Sequence, residues 1–208
     1  MDAQMLSDGG PIVYPLLLCS VIALTIAVER LIMLRSSKII SDEQCKMVMH
    51  FVDTQDVRGL DGWVKDGDSP LKEMLAILLR QWNLTMDRGE TTARLEEWAG
   101  QQVNDMENGL DTLGVISSVA PMLGLMGTVL GMVVTFESIQ TYGLGNADAL
   151  AGGISQALLT TLAGLSVGVP ALIVHRYLLR VVDVRLLKLQ QLATSVLDLV
   201  TQHEKADV

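Results

Sequence analysis

Residues 120–132 read APMLGLMGTVLGM: three glycines, a proline and a lone threonine, Thr128, inside a run from Leu113 to Phe136 that carries no charge. A helix of that length reaches roughly 36 Å at about 1.5 Å per residue, enough to cross a hydrocarbon core of roughly 30 Å. So many helix weakeners would be a liability in water. In lipid no hydrophobic effect pulls helices together, so close backbone approach and interhelical hydrogen bonds must hold them, and small residues permit both. The stretch reads as a membrane helix built to pack.

Two other blocks share its character. Ile12 to Val28 is uncharged, and its apolar pattern resumes through Met33 after Glu29-Arg30; Ala149 to Val174 is uncharged throughout. Half of the 208 residues are hydrophobic while aromatics supply only 4%, which excludes an ordinary soluble domain. The expected fold is an all-α integral membrane protein with three transmembrane helices and long cytoplasmic helical extensions. Its parts are a tail (1–11), span one (12–33), a helical segment (34–112), span two (113–136), a short loop (137–148), span three (149–174) and a C-terminal helix (175–208). The flank before span one lacks Lys and Arg, and Glu-Arg rather than a small-residue site ends the block. A retained span is expected there, not a cleaved signal.

Arg30, Arg35 and Lys38 follow span one, and Arg176, Arg180, Arg185 and Lys188 follow span three, whereas the tail and the short loop hold no Lys or Arg. Positive-inside reasoning therefore expects the N-terminus and the loop outside, and the 34–112 segment and C-terminal helix in the cytoplasm. Between Ser41 and Thr112 stand 15 acidic and 7 basic residues, a balance of −8. Such a segment gives no electrostatic footprint for nucleic acid. Cys19 in span one and Cys45 in a reducing compartment are expected as free thiols.

Within 34–112, Asp42 to Val52 is modestly periodic and DVRGLDGWVKDGDSP, residues 56–70, reads as turn-rich. Ser69-Pro70 is an N-cap with proline at the first helical position. Leu71, Met74, Leu75, Leu78, Leu79 and Trp82 then recur at helical spacing, and Asp87-Arg-Gly-Glu90 is expected to end that helix. Ala99, Val103, Met106, Leu110 and Leu113 alternate steps of four and three, and the sequence predicts one unbroken rod from there into span two. Leu179, Val182, Leu186, Leu189, Ala193, Val196 and Val200 carry the same repeat after span three. No strand has a convincing candidate.

The small residues form steps. Gly127 and Gly131 make G-x-x-x-G, Gly124 with Thr128 a second step, and Gly153, Ala157, Thr161, Gly164 and Gly168 continue the theme in span three. Helix packing accounts for most of these glycines. Polar residues remain: Ser117, Ser118, Thr128 and Thr135 in span two, and Ser155, Gln156, Thr160, Thr161 and Ser166 in span three. Gln156 and Thr160 lie one turn apart on one face. They read either as a polar, water-lined path or as interhelical bonding. No Asp, Glu, Lys, Arg or His occurs between Asp111 and Glu137, or between Asp148 and His175. Hydroxyls and amides do not bind and release protons near neutrality, so a proton path here needs an ionisable group from a second chain. No nucleophile–base pair, metal cluster or phosphate loop points to an enzyme or a cofactor. His50, His175 and His203 are scattered and read as surface or interfacial residues.

APMLGLMGTVLGM followed by GGISQALLTTLAGLSVGVPALIV, residues 152–174, resembles the MotA/TolQ/ExbB family of ion-channel subunits, in its ExbB and TolQ branch. The resemblance implies a homo-oligomeric ring, a pentamer, enclosing the single spans of an ExbD-like partner whose membrane aspartate carries the ion. It also implies residence in the bacterial inner membrane and the energising of a TonB-like protein that opens outer-membrane receptors. Thr128 and Thr161 match the family's pore-lining threonines, and Gln156, with Thr160 beside it, stands where that branch commonly has glutamate. Gly124, Gly127, Gly131, Gly153, Gly164 and Gly168 are left as packing positions. The transported ion is expected to be a proton, with sodium open. A TolQ-like motor, or a non-conducting membrane scaffold, is the alternative.

Overall fold

The structure, a computed structural model, describes residues 10–35, 42–66, 69–82, 88–143 and 147–206. Among them every element is helical: α1 Val13–Arg35, α2 Asp42–Asp53, α3 Val57–Lys65, α4 Pro70–Trp82, α5 Arg88–Glu107, α6 Leu110–Tyr142 and α7 Ala147–Ala206. Three of these, within Val13–Leu34, Leu110–Thr141 and Leu150–Val200, are long and apolar enough to cross a membrane. The chain divides into two compact units, one of residues up to Leu31 with Gly109–Leu178, the other of Ile32–Asn108 with Leu179–Val208.

The first unit holds the spans. Leucines, valines and methionines point outward along all three: Leu18, Leu24, Met122, Leu125, Leu158 and Ile173 are each more than half exposed in the single chain. In water that surface would be ruinous; in hydrocarbon it costs nothing. Pro121 and Pro170 both sit inside their helices. Each lacks an N–H, so the carbonyls of Ser117 and Ser166 lose their usual partner. Membrane helices tolerate this where neighbouring residues crowd the gap.

The second unit is centred on α4. Pro70 opens it after Ser69, whose hydroxyl accepts from Lys72 N at 3.3 Å and whose carbonyl accepts from Glu73 N at 3.0 Å. Leu71, Met74, Leu75, Leu78 and Leu79 are all at most 2% exposed, so the apolar stripe is a true core face. Trp98 Nε1 of α5 donates to Glu73 at 3.1 Å, and Lys72 Nζ lies 4.4 Å above the Trp63 ring. Val182, Leu189, Val196 and Val200 of α7 are buried as the three-four repeat requires. The Arg185 guanidinium donates to Leu34 O, satisfying a carbonyl in the last turn of α1.

Three local expectations fail. The turn-rich reading of residues 56–70 hides α3. Asp56 caps it, accepting from Gly59 N at 2.8 Å, and Val57, Leu60 and Val64 bury at a three-four spacing. Gly59 is helical because its bare backbone lies against Phe51; a β-carbon there would come 2.9 Å from Cε1 of that ring. Second, Arg88, Gly89 and Glu90 already belong to α5 rather than to a break, while residues 83–87 lie outside those described. Third, the rod into span two is broken. Asn108-Gly109 interrupts it, with Gly109 at φ 77°, a left-handed conformation that glycine adopts without strain.

Leu75→Ala should destabilise the second unit by about 2–5 kcal/mol through its buried cavity. Thermal unfolding in detergent, followed by circular dichroism, reads that loss. Gly62→Ala, where no atom lies within 4 Å of the new β-carbon, should leave the melting temperature level or raised.

Candidate functional site

As α6 runs from Gly114 to Thr135, its contacts on α7 run backward from His175 to Gly153, so spans two and three pack antiparallel through one seam. A β-carbon on Gly124 would stand 2.9 Å from Thr160 O and 3.2 Å from the α-carbons of Thr161 and Gly164. On Gly131 it would meet Ala157 Cβ and Gly153 O, both at 2.9 Å, and on Gly164 it would meet Ala120 O at 2.6 Å. Gly127 receives the side chain of Thr160, and Gly153 receives that of Thr135, whose hydroxyl takes the space a β-carbon would need. Gly168 backs onto Pro121 and onto Ser117 O, the carbonyl that the proline leaves without a donor. Most of these contacts are to backbone, which cannot swing aside. Any side chain there must push the helices apart.

Span one closes one side of this pair. Ile12 and Leu16 form a cluster with Ala120, against which Leu123, Ala163 and Val167 pack. Farther along, a cavity of about 170 Å³ opens between the three spans, lined by Ser20, Ala23, Leu113, Ser166 and Pro170 among others. At 3.6 residues per turn, Leu123 and Thr128 fall on opposite sides of the α6 seam stripe. Ala163 and Val167 likewise fall opposite Thr161 on α7. Two antiparallel helices sharing a seam share its flanks. Thr128 and Thr161 therefore lie together on the flank that span one does not cover.

The four polar candidates divide among three places. Thr128 and Thr161 are half-buried on the open flank, where Leu125 and Leu158 beside them are exposed. Thr160 is 1% exposed and sits inside the seam against Gly127. Gln156 is on the covered flank, where its Nε2 takes the space that a β-carbon on Gly10, at the start of span one, would need. The one-face pairing of Gln156 with Thr160 is thus split by the packing. A glycine just before span one was the available signal, because a long side chain on span three needs a bare backbone to lie against.

Every one of these threonine hydroxyls donates into its own helix. Thr128 donates to Leu125 O at 2.7 Å, Thr161 to Ala157 O at 3.2 Å, and Thr160 to Ala157 O at 2.9 Å. Spending the hydrogen on a local carbonyl leaves the oxygen lone pairs turned outward. On the open flank, Thr128 and Thr161 can therefore accept from an O–H, such as a protonated carboxylic acid, with no reorganisation. Between Asp111 and Glu137, and between Asp148 and His175, nothing ionisable competes with them. Among the described residues no group of His, Cys, Asp and Glu could hold a metal ion.

Taken together, seam and flank define a multi-span helical membrane protein that offers hydroxyl acceptors on an open, half-buried flank with no acid or base beside them in spans two and three. A model of the MotA/TolQ/ExbB proton channel family matches residues 67–191. The chain is 32% identical to the ExbB-like 1 biopolymer transport protein of Synechocystis sp. over 82% of its length and 67% of that protein's. It is 28% identical to the biopolymer transport protein exbB1 of Vibrio cholerae, over 81% and 75%. The biopolymer transport protein ExbB of Aquifex aeolicus is 36% identical over 42% of this chain and 59% of its own. The chain belongs to the MotA/TolQ/ExbB proton channel family, in its ExbB branch.

The seam makes a sharp comparison. Gly164→Ala should lower the thermal stability of the detergent-purified protein by roughly 1–3 kcal/mol, the usual cost of overpacking. Gly152→Ala, one residue before the seam with nothing within 4 Å, should be neutral or mildly stabilising in the same melt.

Proposed function

We propose that this chain is the ring-forming subunit of an inner-membrane, ion-driven motor that energises transport across the periplasm in the manner of a TonB system. The observation that carries the reading is the pair Thr128 and Thr161, half-buried side by side on the one flank span one leaves uncovered. The family and the relatives named as biopolymer transport proteins support it. So does the charge asymmetry of the sequence, which favours a periplasmic loop at 137–148 and a cytoplasmic second unit.

The ion needs a carrier, and this chain has none within spans two and three. A single-span partner of the ExbD type supplies an aspartate, and the copies of this chain, five by family likeness, form the sleeve around it. A charged carboxylate at the bilayer centre costs at least about 2.5 kcal/mol, so the acid crosses the sleeve protonated. Its O–H donates to the outward lone pairs of Thr128 and Thr161 at the middle of the path. Each proton descending 100 mV releases about 2.3 kcal/mol, comparable with remaking a few helix contacts. That energy suffices to step the partner helices around the ring. Gln156 and Thr160 serve as positioning residues, Gln156 against the start of span one and Thr160 within the seam. Proton is the favoured ion because the hydroxyl pair accepts a hydrogen and offers no multidentate oxygen cage.

Thr128→Ala and Thr161→Ala, each co-reconstituted with the aspartate-bearing partner, should cut potential-driven proton uptake into liposomes at least about ten-fold, the loss of one buried hydrogen bond to an acid. Size-exclusion profiles of the assembled complex should not move. Full uptake in both variants would leave the seam as helix packing alone, and the chain as a scaffold.

A further inference from the structure

His175 is the first ionisable residue after the uncharged run of span three, and the packing gives it a particular seat. It lies against Gly114 of span two: a β-carbon on Gly114 would be 3.0 Å from its Nε2 and 3.1 Å from its Cε1. The ring is half-buried, and among the described residues it has no hydrogen-bond partner. Gly114 O is already occupied, accepting from Ser117 at 2.7 Å and from Ser118 at 3.3 Å. A purely apolar ring would fill this notch equally well. An imidazole with both nitrogens uncommitted is a chemically loaded choice.

Its register is equally specific. Gly114 precedes Thr128 by fourteen residues, and His175 follows Thr161 by fourteen, close to four whole turns on each helix. The Gly114–His175 contact therefore closes one end of the seam, about 40° around the helices from the threonine pair and roughly 21 Å along from it. Leu125, Leu165 and Leu172 occupy most of the interval, and Ser118, exposed, is the polar step nearest the histidine. The charged groups around the ring are few. Asp111, one turn before Gly114 on α6, is exposed; Arg176, next on α7, is exposed; Arg30 of α1 is buried against Gly109.

We infer that His175 is the proton-transfer residue at the cytoplasmic mouth of this path, passing protons between the threonine level and bulk water. The inference rests on the channel reading above. A proton released by the partner's acid reaches the mouth through water and is taken by one ring nitrogen as its lone pair forms the N–H bond. The other nitrogen gives its proton to cytoplasmic water, and the ring is neutral again in its second tautomer. No net atom or charge is left on the protein. Imidazole suits this task because it is the side chain that ordinarily changes charge near neutrality. Gly114 is the positioning element, since its bare backbone seats the ring where a β-carbon would stand 3.0 Å from Nε2.

The test uses liposomes holding the full chain with its aspartate-bearing partner, a potassium–valinomycin potential, and an interior pH dye. His175→Gln keeps size and polarity but cannot shuttle a proton, and should slow uptake at least about ten-fold, the low side of what a positioned acid–base group contributes. His175→Ala should slow it equally, and 4-methylimidazole on the cytoplasmic side should restore a substantial part of the rate. A wild-type rate in His175→Gln, or a loss in His175→Ala that the small base does not rescue, would assign the ring to packing and overturn the relay. Thr128→Ala in the same assay separates the two levels. If it abolishes uptake while His175→Gln does not, the relay alone falls. If the unaltered complex passes no protons, the channel reading falls and takes the relay with it.

Discussion

A membrane helix pair has no hydrophobic force to close it, and this protein meets that constraint with backbone contact. Gly124, Gly131 and Gly164 bring α-carbons and carbonyls of spans two and three to distances where no side chain fits. Dispersion and weak C–H to carbonyl contacts supply the attraction. The consequence reaches beyond stability. A seam made of backbone has one register, and that register decides which hydroxyls it buries and which it leaves at its edge. Thr160 goes inside; Thr128 and Thr161 stay at the rim, on the side away from Ile12 and Leu16.

The same geometry explains a division of labour. A rim hydroxyl that donates to its own helix carbonyl is an acceptor waiting for a donor. Between Asp111 and Glu137, and between Asp148 and His175, the two helices that carry these acceptors hold nothing that can itself take up and surrender a proton. An account in which the chain is complete alone would need an ionisable group among the threonines. The sequence has none there, and the packing brings none in from span one, whose Glu29 and Arg30 stand near its far end. The ExbB relationship and the geometry both support the reading proposed above, in which the chain is a lining and the carrier belongs to another polypeptide.

Much of this was legible in the sequence, and the exceptions are instructive. Long uncharged runs announce spans by length alone, and Ser69-Pro70 announces the start of α4 because both residue types act locally. The helix Val57–Lys65 is obscured in the sequence because glycine reads as a local breaker, whereas Asp56 caps the helix at Gly59 and Phe51 lies at its side. The break at Gly109 is hidden for the opposite reason: an apolar repeat running through Met106, Leu110 and Leu113 implies continuity, while a single left-handed glycine ends it. The small-residue steps were readable as packing, but not which flank each threonine would take. That needs the third helix, because only span one distinguishes the covered side from the open one. Gln156 and His175 share this limit, since their meaning depends on Gly10 and Gly114, residues distant in the chain that carry no side chain to advertise a contact.

The most direct measurement of the central claim is potential-driven proton flux into liposomes holding this chain alone, set beside liposomes holding it with the proposed single-span, aspartate-bearing partner. The account predicts no current above the lipid background for the lone chain and clear voltage-dependent uptake for the pair. Robust voltage-dependent uptake through the lone chain would contradict it, because the acid that ferries the ion would then have to lie within these 208 residues.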